Sequence, residues 1–260
     1  MALRLLRVQS QREGRLMMPN ASRQVVLDEV KLERYRSLLA STAIFRGCSP
    51  AAIDDLARRL QLRTRPAETI IVAQDEPGDS MFVIAAGRVK VALFGENGRE
   101  LTLSELKPGD FFGEMSLLDN RPRSANVVAV DDATLLVLTR DAFVGHLKAH
   151  PQTAINLLSE MTRRLRRADE TIANLALHDV EARLTRTLER LAKEEGEQTD
   201  GGLLLRKRPT QQDLANMVGS CRETISRTFT SMIKRGLLVP RGRAIVLTRA
   251  LLERRAAVPA

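Results

Sequence analysis

The sequence predicts an α+β protein in three successive parts: a β-rich domain, one long helix, and a small basic domain of helices closed by a hairpin. Three patterns carry that expectation. Short, apolar, β-branched segments between residues 69 and 138 are separated by turn signals. A heptad-like stripe then runs over residues 158–175. Beyond it, a helical pair with a central glycine precedes a glycine-punctuated hairpin.

A chain of 260 residues is long enough for two ordinary cores. Its formal charge of +9 favours an anionic partner. One Tyr, seven Phe and no Trp offer few stacking platforms for single strands, which leaves double-stranded DNA open. Cys48 and Cys221 lie far apart with no CxxC, so neither a disulfide framework nor a four-thiolate site is available in one chain. That usage suits a reducing compartment, and a cytoplasmic location is expected. No apolar run approaches ~18 residues, so no membrane span or membrane partner is expected. The opening MALRLLRVQSQREGRLMMPN lacks the apolar core of a secretory signal, and residues 1–34 read as a disordered extension.

Residues 35–150 form the β-rich part. A short helical pattern runs from about Tyr35 to Leu60, with Ser49 as an N-cap and Pro50 at the first helical position. Strands are expected at Thr69–Ala73, Met81–Ala85, Arg88–Phe94, Leu101–Leu106, Asn126–Val130 and Ala133–Leu138. The turns between them include Pro77-Gly78-Asp79, Gly95-Glu96-Asn97-Gly98 and Pro108-Gly109-Asp110. Many short strands with regular punctuation suggest a sandwich or barrel. Between two of them lies GEMSLLDNRPRSA, residues 113–125. Its Glu114, Arg123 and Ser124 suit a ligand carrying both hydroxyls and a phosphate, and equally a solvated turn.

Residues 151–178 read as one helix. Leu158, Met161, Leu165, Ala168, Ile172 and Leu175 are spaced 3-4-3-4-3, the seam of a coiled coil. Charges flank the seam at Arg163, Arg164, Arg166, Arg167, Asp169 and Glu170. The narrow stripe favours two copies of the helix pairing across a homodimer over one helix packing on its own domain.

Residues 179–260 form the third part. A helix over Val180–Lys193 precedes a polar break and a small strand at Leu203–Leu205. In TQQDLANMVGSCRETISRTFTSMIKR, Thr210 can cap a helix with Asp213 in its first turn. Leu214, Met217 and Val218 share one face, and Gly219 supplies the tight turn. The second helix carries Arg222, Glu223, Ser226 and Arg227 outward, with Ile225, Phe229 and Ile233 inward. A helix–turn–helix sets the start of its second helix in the major groove. There Arg can donate to guanine O6 and N7, and Glu can accept from cytosine N4. Thr210 and Thr224 are expected on phosphates, with Gln211 and Cys221 among the DNA-facing residues. The hairpin from Leu237 to Thr248 bears Arg241 and Arg243 at its turn and reads as a wing. A helical hairpin with a merely solvated charged face is the alternative.

GSCRETISR and the order of sheet, long helix and winged helix resemble the Crp/Fnr superfamily of bacterial transcription regulators, over roughly Leu39 to Thr248. The resemblance implies a cyclic-nucleotide-binding β-barrel of jelly-roll type, a dimerisation helix and a winged helix-turn-helix domain. It implies base reading by Arg222, Glu223 and Arg227 on a palindrome with TGTGA-like half-sites, and a reorientation of the DNA domains about a hinge near Asp179. It makes Gly113 to Ala125 the phosphate-binding cassette, with Gly113, Glu114, Met115, Arg123, Ser124 and Ala125 at the ligand. Partners would be a double-stranded DNA operator, a second copy of the chain, and RNA polymerase.

One departure bears on the ligand. Ala168-Asp169 stand where cyclic-AMP-binding members carry Thr-Ser against the adenine. Asp169 can accept from adenine N6 or pair with guanine N1–H and N2–H₂, so cyclic AMP leads while cyclic GMP and cyclic di-GMP stay open. No enzymatic nucleophile with its base stands out, no cofactor is implied, and no metal is expected. The iron–sulfur branch needs N-terminal cysteines that are absent here, and His146 and His150 read as residues at a helix end. A ligand-free regulator of the same fold, and a nucleotide-binding regulatory subunit that binds no DNA, are the rival readings.

Overall fold

Alternation along the β-rich segments buries one set of apolar side chains between two sheets. The structure, a computed structural model, describes residues 29–95 and 98–256. Of the expected extension, residues 1–28 lie outside the described residues. Two compact units are present: the first holds the described residues up to Gly98 together with Ser104–Glu160, and the second holds Arg99–Leu103 together with the described residues from Met161 on.

In the first unit, α1 (Glu29–Ser41) starts upstream of the expected Tyr35. A 3₁₀ turn at Ala43–Phe45 leads to α2 (Pro50–Arg58), where Ser49 Oγ accepts from the Ala52 amide at 3.3 Å. The strands are β1 (Gln61–Arg65), β2 (Ile70–Val72), β3 (Ser80–Ala86), β4 (Val89–Phe94), β5 (Glu100–Leu106), β6 (Phe111–Phe112), β7 (Asn126–Ala129) and β8 (Ala133–Thr139). Short helix α3 (Met115–Asp119) separates β6 from β7, and α4 (Arg140–Ala149) follows β8. One sheet has the order β1-β8-β3-β6 and the other β2-β7-β4-β5. Phe82, Ile84, Leu135 and Val137 of the first sheet meet Val72, Val89, Val127 and Ala129 of the second. This is the two-sheet packing of a jelly roll, left open at its edges.

Helices α1 and α4 pack on β3, and α4 also lies on β8. Both faces of these two strands are therefore covered, which is why they read as nearly continuous apolar runs. Strand β1, QLRTR, carries too few apolar residues to be read as a strand from its sequence; it is fixed by five antiparallel partners along β8.

The long helix α5 spans Pro151–Leu177. Thr153, Leu157 and Glu160 are buried, whereas Leu158, Leu165 and Ile172 are 67%, 63% and 63% exposed.

In the second unit, α6 (Val180–Glu195) begins at Asp179, whose carboxylate accepts from the Ala182 amide at 2.8 Å. Strands β9 (Glu197–Thr199) and β10 (Gly202–Leu205) precede α7 (Gln211–Val218) and α8 (Arg222–Lys234). Strands β11 (Leu238–Arg241) and β12 (Ala244–Thr248) form the hairpin, followed by α9 (Arg249–Ala256). The sheet order is β11-β12-β10-β9. Leu184 and Leu188 of α6, Leu214 and Val218 of α7, Ile225, Phe229 and Met232 of α8, and Ile245 and Leu247 of β12 share one core. Ile233, expected inward, is only partly buried, and Met232 takes the core position. Pro240 sits on edge strand β11, where a missing amide costs no ladder bond. Among the described residues no helix is long and apolar enough to cross a membrane.

Candidate functional site

The expected cassette is built from a strand end, a one-turn helix and the start of another strand. Gly113 follows β6 with φ of 85°, the left-handed region that favours glycine. A Cβ there would also stand 2.7 Å from Arg123 Nη1. Glu114 is 1% exposed. Helix α3 then ends on Asn120, with φ of 57°, and the chain returns through Pro122 to Arg123.

Arg123 is 7% exposed and bridges two segments distant in sequence. Its Nη1 donates to the Gly113 carbonyl and its Nη2 to the Ser80 carbonyl, each at 2.7 Å. The backbone repeats the link, because the Arg123 amide donates to Glu76 O and the Asp75 amide to Arg123 O, both at 2.9 Å. Phe82 lies under the guanidinium, 5.9 Å from ring centre to Cζ. Burial lowers the Arg123 pKa, and Asp79 and Glu114 oppose that shift. A guanidinium nevertheless stays protonated at neutral pH. The Asp79 carboxyl is held below its usual range by the Ser80 hydroxyl, which donates to it at 2.7 Å, and then by Arg123 and Arg63. Two of the five Arg123 N–H donors are engaged by carbonyls, which leaves three for an anion. A buried cation with donors to spare, beside a buried carboxylate, fits a ligand with one phosphate and a hydroxyl.

The remaining cassette residues are near but differently exposed. Ala125 is buried, Ser124 is exposed, and Ser124 Oγ lies 3.7 Å from Met115 Sδ. Ala168 and Asp169 are exposed on α5 in the second unit. Sequence reasoning missed the partner loop of Arg123. Pro77-Gly78-Asp79 signals a turn, but nothing in it announces that Gly78 and Ser80 receive a side chain more than forty positions away. Arg140 was missed as well. It donates to the carbonyls of Leu117 and Ser116, both at 2.7 Å, to Gly78 O at 3.2 Å, and to Asn120 Oδ1.

The second candidate surface is the start of α8. Thr210 and Asp213 form a reciprocal capping box at α7, with the Thr210 hydroxyl also donating to Asp213 Oδ2 at 2.7 Å. That hydroxyl is thus committed to the helix end. Gly219 ends α7 with φ of 67°, as the tight turn requires. Cys221 is the N-cap of α8 and shares a 3.1 Å hydrogen bond with the Thr224 hydroxyl, which lowers its thiol pKa. Thr224, expected at a phosphate, also accepts from Arg227 at 3.4 Å. Gln211, Arg222, Glu223, Ser226 and Arg227 line one open depression. The Glu223 carboxyl titrates below its usual range, chiefly through its own backbone amide at the helix start, and so is ionised at neutral pH. In the hairpin, Gly242 at φ of 61° lets a two-residue turn carry Arg241 and Arg243, both exposed.

Among the described residues no group of three or more His, Cys, Asp and Glu is placed to hold a metal ion. The adjacent carboxylates Asp54-Asp55 and Asp131-Asp132 each have a partner. Asp54 meets Arg36, Asp55 meets Arg59, Asp131 meets Arg88, and Asp132 accepts from the Ala67 amide.

Residues 62–150 match the cyclic nucleotide-binding domain family, and residues 182–255 match the Crp-like helix-turn-helix domain family. The CRP-like cAMP-activated global transcriptional regulator of Mycobacterium tuberculosis is 33% identical over 211 residues, which cover 81% of this chain and 94% of that relative. The chain belongs to the Crp/Fnr superfamily of transcription regulators. The cyclic AMP receptor protein of Thermus thermophilus is 32% identical to this Crp/Fnr regulator, over 83% of the chain and 97% of the relative. Among solved structures, a CRP-family transcriptional regulator of T. thermophilus aligns with a TM-score of 0.59 at 25% identity, covering 75% of this chain and 97% of that one. The c-di-GMP responsive regulator CLP of Xanthomonas campestris shares the fold, with a TM-score of 0.68 at 24% identity over 77% of this chain and 99% of that one. This Crp/Fnr regulator therefore joins a cyclic-nucleotide-binding β domain to a DNA-binding winged helix-turn-helix.

Proposed function

We propose that the chain is a homodimeric transcription regulator that binds a palindromic operator with TGTGA-like half-sites when cyclic AMP occupies the β domain. The observation that carries the reading is Arg123: a buried guanidinium with donors to spare, beside buried Glu114, in a chain that also exposes Arg222, Glu223 and Arg227. Arg123, Ser124, Ala125 and the backbone of Gly113 and Met115 receive the phosphate, and Glu114 accepts from the ribose 2′-OH. Cyclic AMP is preferred because the curated relatives at 32–33% identity are named for it.

Two chains pair through Leu158, Met161, Leu165, Ala168, Ile172 and Leu175, whose exposed members form an apolar stripe. Pairing sets the two α8 helices ~34 Å apart, one turn of DNA, so that each enters a successive major groove. Arg222, Glu223 and Arg227 read bases, while Gln211, Cys221, Thr224, Arg241 and Arg243 contribute at the backbone or groove edge and Thr210 contributes by capping α7. Nucleotide affinity that differs between two dimer states reorients the DNA domains about Asp179. RNA polymerase is the partner at a promoter.

Asp169 supports a second ligand reading, because its carboxylate can pair with a guanine edge. Calorimetric titration with cyclic AMP, cyclic GMP and cyclic di-GMP, on the native chain and on Asp169→Ser, distinguishes them. Fluorescence anisotropy on a palindromic duplex tests the gate. Equal duplex affinity with and without every nucleotide would refute it.

A further inference from the structure

We infer that Arg140 is a positioning residue that holds the nucleotide cassette in register and couples it to the first turn of α5. The inference rests on reading the cassette as a nucleotide site, and every contact it uses lies within the first unit.

Helix α3 spans only Met115–Asp119, too short to satisfy its own last carbonyls. Arg140 supplies what is missing: its guanidinium donates to the Leu117 and Ser116 carbonyls, each at 2.7 Å, and also to Asn120 Oδ1. A cation at a helix C-terminus is favourable in its own right. The same side chain donates to Gly78 O at 3.2 Å, and the Arg140 amide donates to Asp79 O at 2.8 Å. Arg123 holds the next residue of that loop through Ser80 O. Two guanidiniums thus grip one loop, Arg123 from the ligand side and Arg140 from the helix side.

Arg140 is also the first residue of α4, and the far end of that helix is tied to α5. His146 Nε2 lies 3.1 Å from Thr153 Oγ1, and Cys48 Sγ lies 3.2 Å from the same hydroxyl. Thr153 is buried, and its amide donates to the carbonyl of His150, the residue that closes α4. Between the cassette and α5 there is therefore one short helix with a polar clamp at each end. A movement of α3 or of residues 78–80 on ligand binding has to pass through the Arg140 clamp to reach α5 by this route.

The test uses full-length Arg140→Gln and Arg140→Lys. Three quantities are read: amide hydrogen exchange without nucleotide, cyclic AMP affinity by calorimetry, and the gain in operator affinity at saturating cyclic AMP. For Arg140→Gln, exchange over residues 115–120 and 76–80 should quicken at least tenfold, while residues 211–234 keep their native rates. Cyclic AMP affinity and the gain in operator affinity should each fall about tenfold. Arg140→Lys keeps the charge but not the fork, and should recover part of the nucleotide affinity. Exchange, affinity and gain all within twofold of native would overturn the proposal. So would a uniform quickening of exchange that includes residues 211–234, which would make Arg140 a general stability residue. A native chain that binds no cyclic nucleotide overturns the functional reading by itself, and local exchange at 115–120 then decides the positioning role alone.

Discussion

A Cβ on Gly78 would fall on the guanidinium of Arg123, colliding with Nε and standing 2.5 Å from Cζ and 2.9 Å from Nη1. Gly78 has no positive φ, so its backbone would accept alanine; the collision alone forbids it. The guanidinium is not free to step aside, since both terminal nitrogens are bonded to carbonyls. Gly78→Ala should therefore leave the fold intact and weaken cyclic AMP binding at least tenfold, about 1.4 kcal/mol. Calorimetry beside a thermal melt checks this. Native affinity in the variant would show that the ligand does not depend on where Arg123 stands.

His146 gives the β domain a pH-dependent stability. It is 4% exposed, and burial, followed by the charge of His150, lowers its pKa to about 4, with Asp55 opposing. In the unfolded chain an imidazole titrates near 6.5. As pH falls below that value the unfolded state takes up the proton first, so the folded state loses ground. The contribution is fully present above pH ~6.5 and is lost progressively down to pH ~4, by about 3 kcal/mol in all. Denaturant titrations between these limits should show a shallower loss for His146→Gln, whose amide can still meet Thr153. Parallel curves for the two proteins would remove His146 as the cause.

Patterns confined to one element were legible before the structure. Ser49-Pro50 marks the start of α2, Thr210 with Asp213 marks α7, and Gly219 marks the turn, because each acts on backbone within four residues. Strands β3 and β8 stood out through apolar β-branched runs. Strand β1 did not, since its residues alternate polar and half-buried and its place depends on pairing with β8. Phe111–Phe112 was missed for a related reason: two residues carry no period. At Glu114 and Arg123 the residue types suggested a ligand with a phosphate and hydroxyls or a solvated turn, and the resemblance implied the cassette. Its supports at Gly78, Ser80 and Arg140 come from loops brought together by the sheets, and no local spacing encodes that. Thr210 is the instructive case on the DNA side, where the residue was placed at the right element but its hydroxyl is spent on Asp213.

The seam on α5 makes a prediction about assembly. Leu165 is 63% exposed in the single chain, and burying a leucine side chain stabilises by roughly 1.5–3 kcal/mol. In a symmetric dimer the residue meets a copy of the same stripe, so Leu165→Glu would set two carboxylates against each other. Sedimentation should find the native chain dimeric and the variant monomeric at micromolar concentration. Operator affinity should fall with it, because each monomer reaches one half-site. A variant that stays dimeric would move the interface off this stripe.

Glu223 separates sequence reading from mere attachment. It is exposed at the start of α8, between Arg222 and Arg227, and its lowered pKa keeps it an ionised acceptor at neutral pH. A cytosine amino group can use such an acceptor, whereas guanine or thymine in its place would face it with another acceptor. Glu223→Ala should relax discrimination at one base pair of each half-site by about 1–3 kcal/mol while affinity for other sequences changes little. Arg241→Ala, in the hairpin, should instead weaken binding evenly across sequences and reduce the salt slope by about one. Anisotropy titrations on single-base operator variants at two salt concentrations distinguish the outcomes. An even loss for Glu223→Ala would assign its carboxylate to the helix start and leave base reading to the arginines.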